Sequence, residues 1–263
     1  MNMSMTRKLL AAGAVALSAL GFGAASAETH VTPPHQHWHF QGPFGTYDRA
    51  AAQRGWQVYK EVCSACHSMN LMAYRNLTEL GLTEAQVKGI AAEIQVPDIN
   101  DDGQPIERPA RPSDHFKKPF PNMLAAAAAN GGKAPPDLSV IIKARADGAN
   151  YVHALLTGYV PFDKLTAEQK KESGVTKDDN YNLYFPGHRI AMAPPLADDK
   201  VQYADGTKAT LDQEASDVVE FLAWASEPHM ESRKKTGVRV ILFLLVLAGF
   251  MYAVKRQVWA DKH

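Results

Sequence analysis

Cys63-Ser64-Ala65-Cys66-His67 is the stretch on which the reading of the chain turns. The spacing C-x-x-C-H is that of covalent c-type haem attachment. Two thiols three positions apart can each add to one vinyl group on a porphyrin edge, and the imidazole that follows lies under the iron. Haem iron takes a His on one axial face, and what occupies the other face tunes it. Other uses of the two cysteines fit less well. A disulfide across so short a loop leaves His67 without a role. A thioredoxin-like pair sits at a strand-to-helix turn in a βαβ pattern, whereas the residues upstream read as helix. A zinc site takes four ligands, commonly from two such pairs, and these are the only two cysteines of the chain.

Upstream of the motif, Asp48 is an N-cap for a helix over 49–62 that contains no proline. Gly55, Trp56 and Tyr59 share one face of it, and Gly55 leaves room for another helix to approach closely. Far downstream, Thr210 caps a helix over 211–226, whose Val218, Phe221, Leu222 and Trp224 form a packing stripe for the first helix. Between them the pattern predicts irregular helix over 70–80 and a short helix over 83–92 capped by Thr83. The segment 96–121, with Pro97, Pro105, Pro109, Pro112, Pro119 and Pro121, reads as loop. A small-residue helix over 125–130 stops at Gly131-Gly132, and Pro135-Pro136-Asp137-Leu138 opens a helix to about residue 146. A short helix covers 149–156, 163–182 reads as a solvated polar insertion, and 198–206 as a loop or small hairpin. His30, His35, His37 and His39 lie on a Pro-rich arm around Trp38, a pattern of surface packing more than of metal binding. The fold class is mainly α: a class I c-type cytochrome-like helical haem domain with long loops, plus one carboxy-terminal transmembrane helix.

The two ends carry addresses. Arg7 and Lys8, the apolar run 9–23 and Ala25-Ser26-Ala27 make residues 1–27 a cleaved secretory signal peptide. Export suits the motif, because c-type haem is attached outside the bacterial inner membrane. Residues 240–254 are unbroken apolar; with Val238 and Arg239 the run reaches about 17 residues, the lower limit for a spanning helix. Arg239 can snorkel to the headgroups, and Trp259 is an interfacial anchor. The expected organisation is therefore a periplasmic haem c domain over 28–230, then a basic linker with Arg233, Lys234 and Lys235, an anchor over about 238–254, and a short cytoplasmic tail to 263. The formal net charge of the whole chain is zero. Residues 28–230 alone carry 19 Lys and Arg against 26 Asp and Glu, a net of −7. Such a body attracts a basic soluble partner, and nothing in it points to nucleic acid.

The ligand opposite His67 follows by elimination. A thioether there raises the potential and favours electron transfer over ligand chemistry. Of nine methionines, Met1, Met3 and Met5 leave with the signal, while Met230 and Met251 fall in the linker and the anchor. Met69 and Met72 follow His67 too closely to cross the haem, and Met123 opens an alanine run and reads as core. Met192 remains, in an extended loop stiffened by Pro194-Pro195. A second histidine, from His115, His153 or His188, is the rival, and an open sixth position the third alternative.

Six stretches in order carry a resemblance. They are Arg54-Gly55-Trp56-Gln57-Val58-Tyr59, the haem motif preceded by Glu61-Val62, Pro135-Pro136-Asp137-Leu138-Ser139, Tyr151-Val152 with Leu155-Leu156-Thr157-Gly158-Tyr159, Tyr184-Phe185-Pro186-Gly187, and Ala191-Met192-Ala193-Pro194-Pro195-Leu196. Together they resemble the cytochrome c1 family, the c-type haem subunit of the quinol–cytochrome c oxidoreductase (cytochrome bc1) complex, over nearly all of the mature chain. The resemblance implies one haem c tethered by Cys63 and Cys66, with His67 and Met192 as axial iron ligands and the 135–138 turn walling the pocket. It implies an electron-transfer subunit of a respiratory enzyme with no substrate chemistry of its own. One electron comes from the Rieske iron–sulfur protein and goes to a soluble cytochrome c. The other implied partners are cytochrome b and membrane lipid, in a dimeric complex in the bacterial inner membrane with the haem domain facing the periplasm. In some relatives an Arg in the alanine run approaches a haem propionate; Ala127 stands there, leaving Arg145 or Arg189 for that role. The family's acidic face toward cytochrome c falls on Asp98, Asp101, Asp102 and Glu107, with Asp178, Asp179, Asp198 and Asp199 as competitors.

Overall fold

Asp48 opens the first helix by accepting the backbone N–H groups of Ala50 and Ala51 on its carboxylate, which satisfies donors that have no partner within the helix. The computed structural model describes residues 31–262; the 1–27 segment expected to be a signal peptide and His30 lie outside the described residues. In chain order its elements are α1 (Arg49–Glu61), α2 (Glu84–Ala92), β1 (Gln95–Ile99), β2 (Pro105–Pro109), α3 (Met123–Ala129), α4 (Gly148–Thr157), β3 (Tyr159–Val160), α5 (Ala167–Ser173), β4 (Asn180–Asn182), β5 (Arg189–Ile190), α6 (Leu211–Ser226) and α7 (Met230–Trp259). Tight 3-10 turns occupy Cys63–Ala65 and Tyr74–Leu80. The molecule is mainly helical, with few short strands and one long apolar carboxy-terminal helix.

The core forms where α1 crosses α6. A β-carbon at Gly55 would stand 1.9 Å from the Asp217 carbonyl oxygen, so only glycine admits this approach. Trp56 stacks on Tyr59 and both rings pack tilted against Phe221, with centroids 5.7–5.8 Å apart, and Phe116 joins Trp56 at 4.9 Å. The expected stripe of α6 is fully buried: Val218, Phe221, Leu222 and Trp224 are at most 3% exposed. Three acids of α6 are buried with them, each with a partner. The Arg54 guanidinium donates to both Asp217 carboxylate oxygens at 2.8 Å. Glu220 accepts from the backbone N–H of Asp48 and Glu214 from that of Val201, both at 2.9 Å. Thr83 and Thr210 cap α2 and α6 as expected.

Four expectations are corrected. The 96–121 segment is not all loop: β1 and β2 form an antiparallel hairpin pairing Pro97 with Glu107. Its turn is made by the Asn100 side chain, which accepts from the N–H groups of Asp102 and Gln104, and by Gly103 at φ 76°. Arg108 then ties Asp98 to Asp114 across the strands. The helix expected from Pro135 to about residue 146 is absent; the segment is a run of turns. Its Asp137 carboxylate bonds to a distant segment instead of capping a helix, which favours turn over helix. The 163–182 insertion contains α5, opened by a Thr166–Gln169 capping box, and a small core of Leu165, Val175 and Tyr181. Met123 is not core: at the start of α3 it is 76% exposed.

The basic segment after residue 230 is helical from its first residue. Met230 is buried against the core, and α7 runs on without a break into the apolar stretch. Thirty residues at 1.5 Å each make a rod of about 45 Å. From Val240 onward its large apolar side chains all face outward. It is long and apolar enough to cross a membrane.

Candidate functional site

The motif hangs on the end of α1. The Val62 N–H still reaches the Val58 carbonyl, after which the chain tightens: the N–H groups of Cys66 and His67 both turn back to the Cys63 carbonyl, at 3.1 and 2.9 Å. Ser64 Oγ donates to the Lys60 carbonyl at 2.7 Å, and Tyr59 Oη to the His67 carbonyl at 3.2 Å. Short-range bonds thus fix the turn to a buried helix. Both thiols are free. Burial, and then the neighbouring Cys66, push the Cys63 thiol up to about 12, while Cys66 is exposed.

His67 is oriented from outside the motif. Its Nδ1 lies 2.8 Å from the carbonyl oxygen of Pro136. A carbonyl only accepts, so Nδ1 carries the proton and Nε2 keeps its lone pair, the form in which imidazole binds a metal. Burial lowers the His67 pKa, opposed by the Pro136 bond and by Asp137.

The Pro136 carbonyl is itself clamped. Asp137 accepts from Ser68 Oγ and the Asn70 N–H at 2.8 Å and from the Ser139 N–H at 2.9 Å. The Leu138 N–H donates to the Ser68 carbonyl at 2.8 Å, and the Leu71 N–H to Ser139 Oγ at 3.1 Å. Burial pushes the Asp137 carboxyl up, but the bonds from Ser139, Asn70 and Ser68 outweigh it and hold the group below the usual range. The result is a double strand of loop, 67–71 against 136–139. Leu71 and Val140 on it expose apolar side chains, 67% and 41% accessible.

Met192 stands on a separate element. It follows β5, which pairs with β4, which pairs with β3. Tyr159 of β3 donates its hydroxyl to the Met192 carbonyl at 3.0 Å, and Leu196 beyond the prolines is buried. The loop is therefore pinned on both sides of Met192, whose side chain is half-buried. Cys63, Cys66 and His67 come together with Pro136, a partner that sequence reasoning placed only as pocket wall; Met192 lies on the loop that follows β5.

The rival histidines stand in three different settings. His188 is buried, stacked on Tyr181 at 5.2 Å, with Nδ1 3.2 Å from the Asn182 carbonyl. His153 is buried against Trp38, 3.2 Å from Asp212. His115 is exposed, its backbone bridged to Ala73. Among the described residues no three His, Cys, Asp or Glu side chains are grouped to hold a free metal ion. Two thiols at C-x-x-C spacing and an imidazole with its Nε2 lone pair kept suit a covalently tethered haem, and Met192 offers a thioether on a braced loop. Of the two arginines considered for propionates, Arg189 is bound to Asp179 at 2.8 Å, while Arg145 reaches only the Ala144 carbonyl.

Comparison with known proteins adds three relatives and a family. Residues 38–262 match the model described as the Cytochrome C1 family. Cytochrome c1 of Rhodospirillum rubrum is 47% identical over the full length of both chains. Cytochrome b/c1 of Bradyrhizobium diazoefficiens is 46% identical over 99% of this chain, which spans 40% of that longer protein. The cytochrome b-c1 complex catalytic subunit of Candida albicans mitochondria is 41% identical over 98% of this chain and 92% of its own.

Proposed function

Because the chain belongs to the cytochrome c1 family, we propose that it is the haem-bearing electron-transfer subunit of a quinol–cytochrome c oxidoreductase. In this role it accepts one electron from the Rieske iron–sulfur protein and passes it to a soluble c-type cytochrome. Cys63 and Cys66 would tether one haem c, and His67 and Met192 would hold its iron. When bound, the haem supplies a one-electron couple. The chain's own residues do the rest. Cys63 and Cys66 hold the group by thioether bonds, so it cannot leave on reduction. His67 keeps its proton on Nδ1 because the Pro136 carbonyl accepts it, and Asp137 holds that carbonyl in place. A hydrogen bond of this kind makes the imidazole a stronger donor. The Tyr159 bond and the prolines limit the freedom that Met192 loses when it binds.

The observation that carries this reading is the 2.8 Å approach of His67 Nδ1 to the Pro136 oxygen, beside two free thiols at the attachment spacing. The outward-facing apolar stretch of α7 supports a single-pass anchor in the bacterial inner membrane, with the haem domain in the periplasm after removal of residues 1–27. The relative named for both cytochrome b and c1 supports cytochrome b as a partner. Charge supports the acceptor. At the hairpin tip Asp101 and Asp102 have no ion pair among the described residues, while Asp98 is taken by Arg108 and Asp179 by Arg189. The uncompensated acids on the hairpin can steer a basic cytochrome.

An optical redox titration of the purified membrane complex tests the whole reading. A high-potential c-type haem beside b-type haems is the expected result. Purified chain with no haem-dependent stain on a denaturing gel would overturn it.

A further inference from the structure

The first turns of α7 close against the amino-terminal arm and leave a cleft of about 310 Å³, lined by residues that include Phe44, Glu231, Lys235, Val238 and Arg239. The closure is rigid. Arg49 holds the Glu231 carboxylate with two bonds of 2.7 and 3.0 Å, and the same carboxylate accepts the Tyr47 N–H at 2.9 Å. Lys234 Nζ caps the Phe40 and Gly45 carbonyls at 2.6 and 3.1 Å. Those groups are spent on holding the arm.

Lys235 and Arg239 are not. Neither makes an ion pair or side-chain hydrogen bond among the described residues, and both are exposed. The one acid lining the cleft, Glu231, is ion-paired to Arg49 at 2.7 Å, and the charge of Lys235 acts on it only at longer range. At i and i+4 the two cations share a helix face, about 6 Å apart along the axis. Between them Val238 is half-buried, and across the cleft the Phe44 ring is 80% exposed. Arg239 immediately precedes Val240, where the apolar run begins, so the cation pair lies at the level where a bilayer changes from headgroup to hydrocarbon.

We propose that this cleft is a binding site for an anionic phospholipid. Lys235 and Arg239 take the phosphate, and Phe44 and Val238 receive the first methylenes of an acyl chain. The occupant is a lipid rather than free phosphate, because the cations border an apolar wall continuous with the membrane-facing surface of α7. The proposal rests on α7 lying in a membrane and not on electron transfer. Carbonate extraction tests that premise separately: release of the chain from membranes would remove the premise itself.

The test is native mass spectrometry of the full chain, stripped of lipid in detergent and titrated with phosphatidylglycerol, phosphatidylcholine or inorganic phosphate. Phosphatidylglycerol should bind in preference to phosphatidylcholine. In the double variant K235Q/R239Q its affinity should fall about twenty-five-fold, each charge contributing roughly fivefold, with phosphatidylcholine, whose choline cation offsets its phosphate, affected less. Val238→Trp, which fills the cleft and keeps both charges, should also lose the preference. Equal binding of the two lipids by the parent chain would overturn the proposal. So would an unchanged double variant, an unchanged Trp variant, or displacement of the lipid by inorganic phosphate at equal concentration.

Discussion

Gly55 lies so close to Asp217 that a β-carbon on it would stand 1.9 Å from the Asp217 carbonyl oxygen and 2.8 Å from Phe221 Cβ. This approach sets the distance between α1 and α6, and through Trp56 and Tyr59 it sets where the haem motif begins. Gly55→Ala should therefore destabilise the protein by about 1–3 kcal/mol or more, the usual cost of overpacking a core. Alanine's better helix propensity, worth about 1 kcal/mol, does not offset a clash with backbone. Denaturant melts followed by circular dichroism measure it, and an equal or higher midpoint would contradict the packing described.

Removing the Asp137 carboxylate should loosen His67. Asp137→Ala frees Ser68 Oγ and the N–H groups of Asn70 and Ser139 together. Bonds to a charged acceptor contribute about 1.5–3 kcal/mol each at most, so a loss of roughly 2 kcal/mol of stability is expected. With Pro136 less firmly held, His67 becomes a weaker donor and the midpoint potential of the haem should rise. Loss of the nearby negative charge acts in the same direction. A potential that stays fixed while stability falls would limit Asp137 to a structural part.

Met192→Leu should lower the midpoint potential strongly, because the thioether favours the reduced iron. The reduced variant should also bind carbon monoxide, which the parent should resist at neutral pH. An unchanged potential would return the second axial position to one of the histidines.

Glu220 gives the fold a pH dependence of definite sign. Burial, together with the Asp48 and Asp217 charges, raises its carboxyl from its ordinary 4.5 to about 7, against the Asp48 N–H bond and the Arg49 charge. Between those values the folded protein keeps a proton that the unfolded chain has lost. Stability attributable to this group therefore falls as pH rises from about 4.5 to about 7, and levels off above. Glu220→Gln still accepts the Asp48 N–H and removes the titration. Thermal melts should show the variant more stable than the parent at pH 8 and the parent's decline flattened; a variant with the parent's slope would refute the assignment.

By itself the sequence determined whatever depends on neighbours in the chain. The attachment turn, the caps Asp48, Thr83 and Thr210, the close approach at Gly55, the stripe of α6 and the apolar run of α7 were all legible. Each is read from one residue type, from residues one to four positions apart or from one unbroken run, and such signals are present before any long-range contact forms. Only the tertiary structure decided the rest. Prolines argued against the β1–β2 hairpin, yet it forms around the Asn100 and Gly103 turn, with Arg108 bridging Asp98 and Asp114. The Pro135 segment looked like a helix start, but one Asp137 oxygen is taken by Ser68 and Asn70, 69 and 67 residues earlier, while the other holds only the local Ser139 N–H. The basic stretch after residue 230 read as a linker, and it is helix docked to α1 by Glu231 on Arg49, 182 residues away. The proton on His67 belongs to the same class, since the carbonyl that fixes it comes from Pro136. Such partners meet only when the chain has closed on itself, and no local pattern encodes the meeting.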